Sequence, residues 1–425
     1  MRGNAPHPLG IYISIPFCRS KCTYCNFASG VYPASQHARY VERLIEDLRQ
    51  APAWAERMAI DLPRRVDTVY LGGGTPSLLE PDLLASLFAA LRSSFSLDAD
   101  AEITVECAPG QIAGPTLDAM AAAGVNRVSL GVQSFVDREA QISGRLHTRA
   151  IVEQDLRRLR AAGITNINLD LIAGLAGQTR ESWQRSLDAL LEASVPHASV
   201  YMLEIDEESR LGREMLNGGA RYYAELVPTD DAIAAMYTHA IEHLAAAGLA
   251  QYEISNFSAA GFESRHNLRY WRRRPYLGLG LDASSALFAA DSAAPAAGPA
   301  DLLRATTTSD LAEYLAGPRL AETAWLAPVQ QFEEVWFLGL RLNAGVSLRA
   351  LESEFGPQAA AAALPVVEHL AADGLIHAEN GIARLTAQGR LVSNNVFQEF
   401  LGLAPGNLSH IGQAGHASPV RELAG

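Results

Sequence analysis

Ile11-Tyr12-Ile13-Ser14-Ile15-Pro16-Phe17-Cys18-Arg19-Ser20-Lys21-Cys22-Thr23-Tyr24-Cys25 sets the reading of the whole chain. The first five residues form an apolar run of strand length. Pro16 ends it, and Cys18, Cys22 and Cys25 follow as C-x3-C-x2-C. A strand that runs directly into crowded thiols puts them at its C-terminal end, where the active sites of α/β barrels gather.

Working outward, five more strand-length runs are expected at Thr68–Leu71, Glu102–Glu106, Arg127–Val132, Ile164–Ile172 and Ala198–Leu203. Helix-period stretches separate them, near Gln36–Arg49, Pro81–Ser93, Pro115–Ala123, Ala150–Ala162 and Arg180–Ala193. Strict alternation means parallel pairing with right-handed crossovers. Six units predict an α/β fold, an incomplete (β/α)6 TIM-like barrel over residues 9–217, after a flexible 1–8. A barrel extension and linker follow over 218–300, with a helix at Asp230–Ala247, a strand-like Ala250–Ile254, an aromatic and arginine-rich loop Phe262–Tyr276 and a Pro/Ala/Gly linker at Ala293–Ala300. A mainly helical, winged-helix-like domain with a hairpin at Leu375–Arg384 is expected over 301–401. The Gly, Pro, Ser and His-rich tail 402–425 is expected to be disordered.

The chain of 425 residues exceeds what a single core fills, so a large and a small domain are expected. Net charge is −13, which disfavours nucleic acid and anionic membrane surfaces as partners. No uncharged apolar stretch reaches a membrane-spanning length, and the run Leu9–Phe17 lacks the flanks of a signal peptide. A cytoplasmic location is expected. Four cysteines are too few for a disulfide scaffold.

Three thiolates can hold three irons of a [4Fe–4S] cluster and leave the fourth iron open for a ligand. Zinc on the same thiolates is the alternative; it normally takes a fourth protein ligand, and His37, the next histidine, lies on an expected helix. Cys107 reads as a small buried hydrophobe.

Leu71-Gly72-Gly73-Gly74-Thr75-Pro76 follows the second strand. Glycines there let backbone approach a ligand closely, although such a turn is also common as plain structure. Glu106, Gln133 and Asp170 close or nearly close the third, fourth and fifth strands, and Arg145 follows in Gly144-Arg145-Leu146-His147. Each alone reads equally as a satisfied polar residue. Together they suggest a ligand with ribose hydroxyls and an amino-acid moiety. His147 reads as structural.

The cysteine loop, the Gly-Gly-Gly-Thr-Pro turn and Gly131-Val132-Gln133-Ser134-Phe135 together resemble the radical S-adenosylmethionine (SAM) enzymes, in the branch of the oxygen-independent coproporphyrinogen III oxidases. The resemblance runs from Ile11 to about Leu401. It implies a [4Fe–4S] cluster on Cys18, Cys22 and Cys25, with SAM chelating the open iron and yielding a 5′-deoxyadenosyl radical on reduction. Carried over by position, Tyr12, Tyr24, Gly73, Gly74, Thr75, Glu106, Gln133, Arg145, Asp170 and Met202 contact SAM. True oxidases of this branch carry a further cysteine where this chain has Phe27. Its HemW subgroup of heme chaperones lacks that cysteine and carries His-Asn-x-x-Tyr-Trp, present here as His266-Asn267-Leu268-Arg269-Tyr270-Trp271. Tyr252-Glu253-Ile254-Ser255-Asn256-Phe257 and Leu385-Thr386-Ala387-Gln388-Gly389-Arg390-Leu391 agree with it. The subgroup implies heme as cargo and a heme-acceptor protein, membrane-associated in one version, as partner; radical SAM decarboxylation of coproporphyrinogen III to protoporphyrinogen IX, or radical chemistry on another substrate, is the alternative.

An imidazole beside Tyr and Trp suits an axial iron ligand with rings over a porphyrin face, so His266, Tyr270 and Trp271 are candidate heme residues. Arg265, Arg269, Arg272, Arg273 and Arg274 are candidate partners of heme propionates. The bland reading is a polar loop that seals the barrel, with His266 merely hydrogen-bonded. Two histidines usual in the family are Ser14 and Ser284 here.

Overall fold

A computed structural model describes residues 7–290, 301–317 and 322–403. Strand β1 (Leu9–Ile15), helix α1 (Ser35–Arg57), β2 (Arg65–Gly73), α2 (Pro81–Ser94), β3 (Ser96–Cys107), α3 (Gly114–Ala122) and β4 (Arg127–Gln133) open the alternation. Helices α4 (Asp137–Ile142) and α5 (Arg149–Ala161), β5 (Asn166–Ala173), α6 (Arg180–Glu192) and β6 (His197–Met202) complete it. All six strands pair in parallel and in chain order.

The period-two side-chain rule explains why this sheet curls around a polar interior. Val69 and Leu71, Ile103 and Val105, Val128 and Leu130, and Leu169 and Leu171 lie in the main hydrophobic core with Leu44, Leu87 and Leu156 of the surrounding helices. Each fully buried aliphatic side chain contributes roughly 1.5–3 kcal/mol. The alternate residues, Tyr70, Glu106, Ser129, Asn168, Asp170 and Ser199, line one small enclosed polar cavity. A strand read as an apolar run is thus apolar on its helix side only.

The sheet does not end at six strands. After α7 (Arg210–Leu216) and α8 (Asp230–Ala246), β7 (Ala250–Gln251) and β8 (Asn256–Ser258) add antiparallel to β6. Helix α9 (Arg265–Trp271) follows. Then β9 (Tyr276–Leu279) pairs parallel with β1, and β10 (Ser284–Phe288), β11 (Leu302–Thr306) and, past α10 (Leu311–Ala316), β12 (Glu322–Leu326) continue antiparallel. The result is one open twelve-stranded sheet. The extension covers both free edges of the six-stranded unit, which otherwise offer unpaired backbone groups. β11 and β12 come from the stretch after 301 that the sequence joins to the helical domain; here they belong to the large sheet.

The second core is small. It joins α11 (Pro328–Gly339), β13 (Val346–Ser347), α12 (Leu348–Phe355), α13 (Pro357–Ala372), β14 (Ile376–Glu379) and β15 (Ile382–Leu385); past α14 (Ala387–Leu391), whose Leu391 packs on the main core, α15 (Ser393–Gln398) adds to it. Trp336 stacks on Phe400 at 4.1 Å between ring centres. The three strands form their own antiparallel sheet. The linker expected at 293–300 and the tail from 404 lie outside the described residues, as do residues 1–6. Among the described residues no helix is long and apolar enough to cross a membrane.

Candidate functional site

The cysteine loop is pinned from both sides. Phe17 is buried, stacked at 4.0 Å on the His37 ring and edge-on at 5.3 Å to Tyr40. Cys18 N donates to Gly30 O at 2.9 Å, and Gly30 N returns to Pro16 O at 2.9 Å. Lys21 reaches back to the carbonyls of Phe27 (2.8 Å) and Ser29 (3.0 Å). The far side of the loop rests on the segment after α4, where Thr23 N donates to Ser143 O at 3.1 Å.

The glycine turn closes over the loop's start. Gly74 N donates to Ile15 O at 2.9 Å, and Thr75 N to Phe17 O at 2.8 Å. A Cβ on Gly74 would lie 2.8 Å from both of those carbonyl oxygens, so only glycine fits. The Thr75 hydroxyl points at Cys18 Sγ (3.9 Å), and Cys25 Sγ meets Ser29 Oγ at 3.8 Å. Burial raises the Cys18 thiol above its ordinary range, against the hydrogen bonds of Ser29 and Thr75. Cys18, Cys22 and Cys25 are all partly exposed, whereas Cys107 is buried and its thiol is pushed up to about 12 by burial.

Beside the thiols stands a second, unsatisfied set. Gln133 ends β4 with φ +67°, a left-handed conformation that is costly for a non-glycine residue and recurs at ligand sites. Its Oε1 and the Nε of Arg145 are buried without a partner among the described residues. Buried polar atoms are rarely left so. Gly131 admits the guanidinium: a Cβ there would lie 3.0 Å from Arg145 Nη2. Tyr24 and Arg145 interact, which ties the last cysteine's neighbour to this pair. Across the barrel, Gly73 (φ +99°) donates its N–H to Glu106 Oε2 at 3.1 Å, while the Tyr70 hydroxyl donates to Oε1 at 2.8 Å. Burial, then the nearby Asp170 charge, push the Glu106 carboxyl up to about 7 despite those two donors. Asp170 accepts from Asn168 (2.6 Å) and Ser129 (3.1 Å). Tyr12 stacks beside Tyr70, to which it is paired in register across β1 and β2. Met202 ends β6, half-buried against the core.

The structure therefore brings the thiols, the glycine turn and strand-end residues of β2 to β5 to one barrel mouth. Three thiols on one loop suit a [4Fe–4S] cluster with an open iron. The unpartnered Gln133 Oε1 and Arg145 Nε and the glycine cradle suit a polar ligand such as SAM beside it. Among the described residues no three His, Cys, Asp or Glu side chains close around a single ion. His147 accepts its structural reading: it bonds Val132 O at 3.1 Å, and burial with Arg145 pushes it down to about 4.

Helix α9 lies at the opposite end. The carboxylate of Glu102, midway along β3, accepts from Arg265 N (3.0 Å) and His266 N (2.9 Å). His266 is 1% exposed. Its Nδ1 faces the Thr68 hydroxyl at 2.9 Å and its Nε2 the Tyr270 hydroxyl at 2.8 Å. Trp271 is buried under the Arg341 guanidinium, 4.5 Å from the ring centre. Arg269 pairs with Asp67, Arg265 with Asp67 and Asp100, and Arg273 with Glu354. Thus neither nitrogen of His266 is open to iron, and three of the five arginines suited to propionates already hold carboxylates of this chain. The physical reason is position: the starts of β1 to β3 need a polar plug, and α9 supplies it. Tyr70 is the site residue that sequence reading missed. Its signal was the period of two, which puts it on the same face as Gly72.

Residues 12–190 match the Radical SAM superfamily, and 326–392 match the HemN C-terminal domain. The chain is 33% identical over 398 residues to a Lactococcus lactis protein named heme chaperone HemW, covering 93% of this chain and 97% of that one. It is 32% identical to the Bacillus subtilis protein of that name, covering 92% and 98%. A mouse protein, radical S-adenosyl methionine domain-containing protein 1, mitochondrial, is 32% identical, covering 92% and 87%. Among solved structures, the Escherichia coli coproporphyrinogen III oxidase HemN superposes with a TM-score of 0.78 at 24% identity, covering 94% and 91%. That likeness carries the fold. With relatives above 30% identity along nearly their whole length, the chain belongs to the HemW family of the radical SAM superfamily.

Proposed function

We propose that this protein is a heme chaperone that carries a [4Fe–4S] cluster with SAM and passes heme to an acceptor protein. The observation that carries the reading is the near-complete alignment with relatives named heme chaperones. Phe27, exposed where the oxidase branch has a cysteine, supports it against decarboxylation of coproporphyrinogen III.

In this reading Cys18, Cys22 and Cys25 hold three irons, and Thr75 and Ser29 share hydrogen bonds with two of the sulfurs. Bound together, the cluster and SAM supply one-electron chemistry, which the protein positions and shields. Gly73 and Gly74 bring backbone to the ligand. Glu106 and Asp170 accept from its hydroxyl and ammonium donors, and Arg145 and Gln133 meet its acceptors. Tyr12, Tyr24 and Met202 wall the space. His266 acts with Tyr270 as part of the barrel plug, so heme docks elsewhere or after α9 has moved.

The test is titration of anaerobically reconstituted protein with hemin, followed by Soret absorbance. Saturable binding of one heme per chain, retained through gel filtration, is expected. Absence of saturable binding overturns the chaperone reading.

A further inference from the structure

The side chain of Tyr70 joins the mouth of the barrel to its plug. Tyr70, 7% exposed, stands midway along β2. Above it, its hydroxyl donates to Glu106 Oε1 at 2.8 Å. Below it, its ring stacks on His266 with centres 5.2 Å apart and planes 27° apart. To the side, the Tyr12 ring lies 6.1 Å away. Gly72 makes the contact possible: a Cβ there would lie 2.9 Å from Tyr70 Cε1 and 3.0 Å from Glu106 Cδ. The two oxygens of Glu106 thus have separate anchors, Gly73 N–H at the ligand side and Tyr70 from the barrel interior.

We propose that Tyr70 is a positioning residue of the SAM site, fixing the Glu106 carboxylate and itself held in place by the α9 plug through His266. This rests on the reading that Glu106 contacts SAM. A carboxylate that accepts from Tyr70 and Gly73 still has free lone pairs for a ligand, and its direction is set before the ligand arrives. The charged and titratable groups around Glu106 are Tyr12 of β1, Tyr70 of β2, Cys107 of β3, Arg127 of β4, Asp170 of β5, Tyr201 of β6, Tyr270 of α9 and Arg145 after α4. Of these only Tyr70 donates a hydrogen bond to it in the structure.

The experiment measures binding of radiolabelled SAM to cluster-loaded protein across a pH series, for wild type, Tyr70→Phe, Glu106→Gln and the double variant, with iron content and circular dichroism recorded for each. The Tyr70 hydroxyl favours the ionised carboxyl. Its loss therefore moves the acid midpoint of SAM binding upward by roughly one pH unit, tenfold in proton affinity. Glu106→Gln flattens the profile, and adding Tyr70→Phe to it changes nothing further. An unmoved midpoint in Tyr70→Phe, or a further loss in the double variant at every pH, overturns the role of Tyr70. Failure of wild-type protein with a full cluster to bind SAM overturns the SAM site itself, and the proposal with it.

Discussion

A Cβ built on Gly144 would stand 3.3 Å from the Cα of Cys22 and 3.6 Å from Lys21 O, and Gly144 itself holds φ +88°. The segment after α4 is thus pressed against the cysteine loop at a point where a Cβ is crowded and the left-handed backbone favours glycine. Because Arg145 follows directly, this contact sets the distance between the thiols and the buried guanidinium. Thr23 N to Ser143 O at 3.1 Å secures the same seam.

Gly144→Val tests that seam. The variant adds bulk at the contact and forces a branched residue into a left-handed conformation, at a cost of about 1–3 kcal/mol. Lower melting temperature together with less iron per chain is expected. Normal iron content at reduced stability places the effect in the backbone alone.

Cys18→Ala, Cys22→Ala and Cys25→Ala are each expected to abolish cluster assembly, read as iron and sulfide per chain after anaerobic reconstitution. Cys107→Ala removes a small buried group behind β3 and is expected to keep the cluster while costing about 1 kcal/mol. Cluster loss in Cys107→Ala contradicts the assignment of the three-thiol loop as the complete protein ligand set.

The sequence made the barrel, the cysteine loop and the glycine turn legible, because each rests on local spacing. The apolar runs gave β1 to β6, and Pro16 marked where β1 stops. What it hid depends on pairing at a distance. Tyr276–Leu279 is too short to announce a strand, and it becomes one only because the free edge of β1 lies beside it. Helix α4 escaped because six residues carry little period. The His-Asn-x-x-Tyr-Trp segment was legible as a motif, yet its place was not. Thr68 and Glu102 lie more than 160 positions earlier in sequence, and those two residues decide that His266 faces inward.

His266→Ala is consequently expected to act on stability before heme. It strands the Tyr270 hydroxyl, leaves Thr68 Oγ1 with Arg269 as its remaining partner, and opens a cavity below Tyr70, for a loss of about 2–4 kcal/mol. Chemical denaturation measures the loss, and hemin affinity per folded molecule is expected to stay within about twofold of wild type. A changed axial-ligand signature in the heme spectrum, with stability intact, instead makes His266 the iron ligand in a rearranged plug.

Glu106 also leaves a mark on stability. Burial pushes its folded carboxyl up to about 7, above the 4.5 usual for an exposed glutamate. Between those values the folded state binds the extra proton, so its contribution makes the protein less stable as pH rises through that window. Glu106→Gln removes the charge and is expected to flatten the slope of unfolding free energy between about pH 5 and 7. An unchanged slope assigns the titration to another group.

Phe27 stands where the oxidases of this branch carry a further cysteine. Its side chain is 44% exposed, and its carbonyl is held by Lys21, so the loop keeps its shape without a fourth thiol. Cluster-loaded protein incubated anaerobically with SAM, a reductant and coproporphyrinogen III is expected to leave the porphyrinogen intact, followed by chromatography of porphyrins and of 5′-deoxyadenosine together. 5′-Deoxyadenosine without decarboxylated product shows a working radical site uncoupled from oxidase chemistry. Decarboxylated product makes the protein an oxidase in spite of Phe27, because the porphyrinogen then reaches the cluster mouth in a reactive pose. The two outcomes differ in where the substrate's propionates sit. Arg145 at the mouth pairs with a propionate only when it is free, and with SAM bound as proposed it is already engaged.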